Sequence, residues 1–428
     1  VKEFAAAREM GLEGVVIDHH HVPEVMPEAI AIVNPKIPDC GYPFADLSGA
    51  GTAFKVAQGL YRALVPERER ELKWLLDLAS IGTVADCMPL IGENRVLVRF
   101  GSVVLAKTRR PGLRALYELA RIRADDSQHP DAETIAFRIA PRINAAGRMA
   151  HAQVAHDLLV ETNTERAAIL ASQLETHNDD RRKASTEITE AVRKRAQEEC
   201  AGKSAIVLAD KSYPPGIVGL VAGRIAEEFD KPAVILSRGE KTSVGSLRSA
   251  GKVHLAHVLA ECDDLLEKYG GHKEAAGLTV SHEKFEAFRE RFEALVAEHA
   301  LGEEAGSDID AEIFPEHLGG VFLERLKLFA PFGIGNPEPM FLLRGATIVD
   351  VRFLGNGEKH LKLKLRVESR DGVGHAPVDA IGFGMGEEHA GIAAGMRADV
   401  VGRLQENAWN GYVRPQVVLA DIRLEEVV

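Results

Sequence analysis

The chain has 428 residues, 46% of them hydrophobic and 27% charged, the balance of a globular protein with about three domains. Its 52 Lys and Arg against 64 Asp and Glu leave a net charge of −12, which excludes a surface coated all round with basic residues but not a local basic groove. Four cysteines, Cys40, Cys87, Cys200 and Cys262, lack the spacing of a CxxC zinc site or a disulfide framework, so reduced, mostly buried thiols in a cytoplasmic protein are expected. No apolar run approaches the ~20 residues of a membrane span, and residues 1–10 carry charge where a signal peptide is apolar.

Residues 2–10 read as an Ala-rich helix capped by Gly11, followed by a buried strand at 14–17. The chain begins Val-Lys-Glu-Phe, and this opening reads as the middle of a domain, so an N-terminal portion is expected to be absent, the alternative being simple removal of an initiator Met. Up to residue 155 short apolar runs alternate with helical patterns at 47–64 and 70–79, the texture of α/β architecture. Residues 152–200 contain no proline and few glycines, and predict one or two long polar helices bridging domains. A second α/β unit spans 203–300, with strands at 204–208, 233–236 and 278–280 and helices at 215–229 and 254–269. Between them lies a glycine- and serine-rich stretch that runs to Lys252. From about Asp308, short strands separated by Gly, Asn and Asp suggest a small β-barrel.

Five local patterns could carry chemistry. Asp18-His19-His20-His21 directly follows the strand, where ligand sites of open α/β sheets lie, and could supply oxygen and imidazole ligands to one or two divalent cations. The bland alternative is a solvated polar turn. In residues 80–90, Asp86 is a lone carboxylate among small and apolar neighbours, which must be paired, metal-bound or exposed, or else is a helix N-cap or loop residue. Arg142, Asn144, Gly147 and Arg148 share what reads as a short loop; arginine forks suit phosphate, and surface arginines are the alternative. Gly270-Gly271-His272 allows close backbone approach to a ligand, and the next residues could start a short helix whose N-terminus attracts phosphate. Upstream, Gly245-Ser246-Leu247-Arg248-Ser249 reads as a flexible turn, and the two together look like a phosphate-binding surface. Finally, residues 361–367 alternate strictly, so Lys362, Lys364 and Arg366 form one basic stripe with His360 in phase, while Leu361, Leu363, Leu365 and Val367 face a core. That stripe is either a solubilising edge or a track for single-stranded nucleic acid, with Phe353, Trp409 or Tyr412 as stacking platforms.

Together these motifs resemble the DHH phosphoesterase superfamily and, within it, the RecJ single-stranded-DNA exonucleases. Asp18-His19-His20 resembles the superfamily signature, continued by Asn34-Pro35, Tyr42-Pro43-Phe44 and Leu47-Ser48-Gly49-Ala50-Gly51. Residues 80–90 resemble its later aspartate motif. Arg142 to Met149, with Asn178 and Arg181, resemble the end of the catalytic domain and the connecting helix, and Gly270-Gly271-His272 the DHHA1 signature. Phe332-Gly333-Ile334-Gly335-Asn336-Pro337-Glu338-Pro339 resembles the entry to the RecJ OB-type domain.

The resemblance implies an α/β chain with part of a doubly wound DHH domain at 1–155 and a connecting helix at 156–200. It further implies a DHHA1 domain at 201–304 and an OB-like β-barrel at 305–428. It implies two-metal, Mn²⁺- or Mg²⁺-dependent 5′→3′ hydrolysis of single-stranded DNA to mononucleotides in repair and recombination. Asp18, His19 and Asp86 would be metal ligands, with His20 as a catalytic residue supporting them or touching the second metal, and His272 over the scissile phosphate. Arg142, Asn144, Arg148, Ser246, Arg248, Gly270 and Gly271 would hold phosphate, and Lys362, Lys364 and Arg366 the strand. A monomer is expected, cooperating with a single-strand-binding protein and a recombination helicase and touching no membrane. The family's first two metal motifs, an Asp-x-Asp strand end and a second Asp strand end, find no match, which predicts an incomplete site and little activity for the chain alone. Rival readings are a DHH hydrolase of short oligonucleotides and a non-catalytic DHH scaffold that binds nucleic acid.

Overall fold

The computed structural model describes residues 1–124, 129–149, 151–300, 308–318, 320–355, 357–369, 376–409 and 412–425. It divides into two compact units, residues 1–105 with 131–133 and 306–428, and residues 106–130 with 134–305.

The first unit opens with the helix Lys2–Glu9, which closes at Met10, one residue before the expected glycine. The strand Val15–Ile17 pairs in parallel with Ala31–Val33, Val15 opposite Ala31. The expectation that this strand is buried is not met: Val15 is 56% and Ile17 46% exposed. Among the described residues its one ladder partner is Ala31–Val33, so apolar β-formers here stand at a sheet face without cover. The helix Gly49–Leu64 is capped by Ser48, whose Oγ accepts from the Gly51 amide at 2.9 Å. The helix expected at 70–79 is displaced. Pro66–Leu75 is 3₁₀, because its alternating Glu and Arg bury only Leu72 and offer no apolar stripe. The α-helix proper is Leu76–Ala85, anchored by buried Ala79, Ser80, Ile81 and Thr83, and is followed by Gly92–Ala106.

In the same unit, five strands close a barrel. Phe341–Leu354 pairs antiparallel with His360–Arg366, which pairs antiparallel with Val378–Gly382. Val378–Gly382 runs parallel to Tyr412–Leu424, which is antiparallel to Arg397–Trp409, and that strand returns to Phe341–Leu354. Closure leaves no open edge on the ring. Leu343, Ile348, Leu361, Leu363, Leu365, Ala380 and Val400 fill the interior, so the alternation of residues 361–367 turns leucines in and cations out as expected.

The second unit holds Pro111–Leu119, Ala140–Met149, Gln153–Val160 and the 36-residue helix Thr164–Glu199, whose N-cap Asn163 accepts from the Arg166 amide. The long polar stretch is thus two helices. Its sheet has the order Ile206–Asp210, Ala233–Arg238, Thr242–Arg248, Ala275–Ser281, Lys268–Gly271. Two expectations are corrected here. Residues 242–248 are not a flexible turn but the middle strand, since Ser243, Gly245 and Leu247 are buried and alternate with more exposed neighbours. The helix expected at 254–269 is only Leu255–Ala260; Lys268–Gly271 is an edge strand, so the glycines pair with Gly277 and Ala276.

Candidate metal and phosphate sites

In the first unit the parallel strand Val15–Ile17 ends at Asp18, whose amide donates to Val33 O at 3.0 Å. The Asp18 carboxylate folds back on its own turn. It accepts from the His19 amide at 2.7 Å and the His20 amide at 3.2 Å, and contacts His20 Nδ1 at 2.7 Å. Burial works to raise its pKa, but these hydrogen bonds overcome it and hold the carboxyl below its usual range. His20 is itself braced, because Asn34 Nδ2 donates to its carbonyl at 2.9 Å.

His19 points elsewhere. Its Nε2 lies 3.3 Å from Asp86 Oδ2, with the imidazole only 14% exposed. The ring sits against the start of the helix Gly49–Leu64, where a Cβ on Gly49 would stand 3.3 Å from His19 Cδ2. Its Nδ1 is buried without a hydrogen-bond partner. Asp86 is neither an N-cap nor a loop residue; it closes the C-terminal end of Leu76–Ala85. The helix C-terminus is the negative end of its dipole, so a cation is favoured beside it. The two helices are locked where they carry these groups, for Ser48 Oγ and Thr83 Oγ1 meet at 3.1 Å in the core.

As metal donors the residues fit in part. Two ligands of one cation at ~2.1 Å lie roughly 3.0 to 3.4 Å apart, and the His19–Asp86 separation falls in that range. Among the described residues, however, no three His, Cys, Asp or Glu side chains converge as a metal cluster. The structure brings His19 to Asp86 and Asp18 to His20, as two pairs.

The segment 332–339 packs against residues 89–91, a few positions beyond Asp86. Gly333 and Asn336 exchange backbone hydrogen bonds, and Asn336 Nδ2 donates to Phe329 O and Pro331 O. The turn so formed accepts the Leu90 amide on Ile334 O at 2.6 Å. Gly335 has φ +74°, and a Cβ there would stand 3.0 Å from Pro89 Cβ, so turn and contact both require glycine.

In the second unit, Arg142, Asn144 and Arg148 lie on the helix Ala140–Met149, not in a loop. Arg142 is engaged: its Nη2 reaches Glu175 Oε1 at 3.0 Å and its Nη1 donates to Arg138 O. Asn144 is exposed on the same helix. Arg148 Nη1 donates to Gly216 O at 3.0 Å. Ser246 and Arg248 stand on one face of the middle strand, against the helix Pro215–Phe229. Gly219 makes the room, since a Cβ there would lie 3.1 Å from Ser246 Oγ and 3.6 Å from Arg248 Nη2.

Of these residues Gly219 and Arg248 line a cavity of about 400 Å³, with Phe137, Arg181, Arg182, Ser185 and Arg224. Arg181 Nε and Ser185 Oγ are buried there without hydrogen-bond partners, while Arg181 Nη2 donates to Asn178 Oδ1 at 2.9 Å. Burial and then the neighbouring charges of Arg148, Arg182, Arg224 and Arg142 push the Arg181 guanidinium down from its ordinary value. Unanswered buried donors amid clustered guanidinia have the chemistry that an anion would satisfy. The sequence reading missed Phe137, Arg182, Ser185 and Arg224; the spacing of Arg224 from Gly216, Gly219 and Gly223 on one helix was the available signal.

Gly270 and Gly271 close the edge strand and His272 follows in a turn, its amide donating to Ala275 O at 2.8 Å. No helix starts there: the chain continues as the strand Ala275–Ser281. Glu274 braces this turn, accepting from Ser249 Oγ and the Gly251 amide. On the barrel, Lys362 is partly exposed and Lys364 and Arg366 are exposed, as the alternation predicts. Phe353 is corrected, for it packs against the barrel core. The side chains of Trp409 and Tyr412 lie outside the described residues.

The sequence matches the DHH family N-terminal domain over residues 1–83, the DHHA1 domain over 202–298 and the RecJ OB domain over 309–421. The single-stranded-DNA-specific exonuclease RecJ of Salmonella typhimurium is 32% identical over 98% of this chain and 74% of its own length. The chain belongs to the RecJ family. The RecJ of Bacillus subtilis is 35% identical over the whole chain, which spans 53% of that relative. The crystal structure of RecJ from Thermus thermophilus in complex with Mn²⁺ superposes with a TM-score of 0.81 at 34% identity, covering 99% of this chain and 60% of that one. This RecJ-family chain therefore spans about half to three-fifths of the first curated relatives it matches. Among the described residues no helix is long and apolar enough to cross a membrane.

Proposed function

We propose that the chain is part of a divalent-metal-dependent exonuclease that degrades single-stranded DNA from its 5′ end and releases mononucleotides. The observation that carries this reading is the His19–Asp86 pair at the carboxyl end of a parallel strand, its imidazole largely buried against a helix start and its carboxylate open to solvent at a helix end. His19 and Asp86 would hold Mn²⁺ or Mg²⁺, with Asp18 supplying a further oxygen and His20 keeping Asp18 ionised. A cation bound there would polarise a phosphoryl oxygen and make a bound water acidic. The arginine-lined cavity beside Ser246 and Arg248 would take phosphate, and its unpartnered Arg181 Nε and Ser185 Oγ are donors for it. His272 would contact the scissile phosphate from its braced turn. The monomeric state, the cytoplasmic location, and cooperation with a single-strand-binding protein and a helicase belong to the same proposal.

Two convergent donors are few for a cation that takes about six ligands. The chain is therefore expected to bind Mn²⁺ weakly and to turn over slowly. Release of mononucleotides from a 5′-phosphorylated single strand, followed against Mn²⁺ concentration, measures both. Asp86→Asn should abolish the Mn²⁺-dependent part; release unchanged in that variant would overturn the assignment. The absence of a third converging donor among the described residues favours one second reading, a DHH-fold module that binds single strands without cutting them. Binding without any Mn²⁺-dependent release would establish it.

A further inference from the structure

The outward face of the barrel sorts into three cross-strand rows. His360 lies opposite Leu354 on one side, and Leu361 opposite Gly382 on the other, which sets His360 beside Phe383. The His360 and Phe383 rings meet edge to face, with centroids 5.6 Å apart and planes at 74°. The next row is Arg352, Lys362 and Ile381, and the third Asp350, Lys364 and Asp379. Strand alternation turns all three rows away from the core that holds Leu361, Leu363 and Leu365.

The rows differ in charge. Lys364 stands between two aspartates, so the third row offers no net positive charge. In the second row the cations Arg352 and Lys362 are adjacent, although Arg352 also reaches Asp350 at 3.0 Å. The first row is aromatic and apolar, and Phe383 is 63% exposed. An exposed ring alone means little, but this one is firmly mounted. His360 Nδ1 accepts from the Gly384 amide at 3.1 Å, and a Cβ on Gly355 would stand 3.0 Å from His360 Cδ2. The Gly386 amide donates to Lys359 O at 3.0 Å, tying the turn after Val378–Gly382 to the start of the neighbouring strand. The imidazole is thus wedged between two turns and supports Phe383. Two residues along a strand advance about 6.7 Å, so ring and cations lie within the reach of one nucleotide. Oligonucleotide-binding barrels present this same pair of strands to their ligands.

We infer that Phe383, held by His360, is a stacking platform for a base of single-stranded DNA whose phosphates run over Lys362 and Arg352. The inference rests on the single-strand reading given above. It is tested with the 428-residue chain by fluorescence anisotropy of a labelled oligothymidylate across a salt series. Phe383→Ala should weaken binding by about tenfold at every salt concentration and leave the salt slope unchanged, because stacking releases no counterions. Phe383→Trp should bind at least as tightly as the unaltered chain and lose emission when the strand is added. Phe383→Leu, which keeps apolar area but no π-face, should resemble the alanine variant. Full affinity in Phe383→Ala or Phe383→Leu, with the fold verified by circular dichroism, sinks the platform alone. Failure of the unaltered chain to bind any single strand sinks the single-strand reading and the platform with it.

Discussion

Asp86 places a carboxylate at the end of a helix where the backbone dipole is already negative. Such a residue costs stability unless a cation answers it. Asp86→Asn should therefore raise the stability of the metal-free chain, by up to about 1 kcal/mol at low salt, while removing Mn²⁺-dependent cleavage. Thermal unfolding in a chelator reads the first effect, and a lowered midpoint would contradict it. The thiols give a second residue-scale test. Burial pushes the Cys262 thiol up to about 11 and raises that of Cys200, whereas Cys40 and Cys87 are exposed. Near pH 8 a disulfide-exchange reagent should titrate Cys40 and Cys87 rapidly in the folded chain, and Cys200 and Cys262 only after denaturation. The sequence suggested thiols mostly buried; spacing alone could not separate these pairs.

At the scale of elements, what was legible depended on whether polarity alternated openly. The barrel strand 360–366 shows leucine and cation in strict alternation, and its inward and outward faces follow directly. Thr242–Arg248 alternates equally well, but Gly245 and Ser243 occupy its buried positions and make a central strand look like a turn. The helix Ala140–Met149 was hidden for a related reason, since its Pro, Asn and Gly are loop-formers in isolation. Of the candidate site, Asp18, His19 and Asp86 were legible as chemical types after a strand and in a small-residue run. That His19 turns to Asp86 while Asp18 turns back to His20 depends on helix packing across distant sequence, which no local pattern encodes. The barrel strand permits a contrast. Leu363→Ala removes a side chain that is 1% exposed and should cost about 2–5 kcal/mol in denaturant unfolding. Lys364→Ala, one residue on and facing out, should change stability by no more than ~0.5 kcal/mol.

For the whole molecule, a net charge of −12 means that binding to a polyanion must be local. On the proposed reading, the adjacent cations of the barrel's second row would be that place. Affinity for single strands should fall steeply with salt, and Lys362→Glu should flatten the logarithmic slope by at least ~0.7, the share of one phosphate contact. Lys364→Glu should change the slope far less, because Asp350 and Asp379 already oppose that charge. Equal effects from the two reversals would mean that the rows do not divide the work.

The turn at 332–339 gives the barrel an unexpected tie to the acidic site. Its Ile334 carbonyl holds the Leu90 amide, four residues beyond Asp86. Modular proteins can often exchange a binding domain by cutting at a linker, but here the natural cut point is also a splint. A graft that replaced everything after residue 331 would release the peptide that follows Asp86, and so would alter the DHH portion while seeming to touch only the barrel. Shuffling experiments on such chains should carry the Gly-Ile-Gly-Asn turn with the DHH portion, not with the barrel.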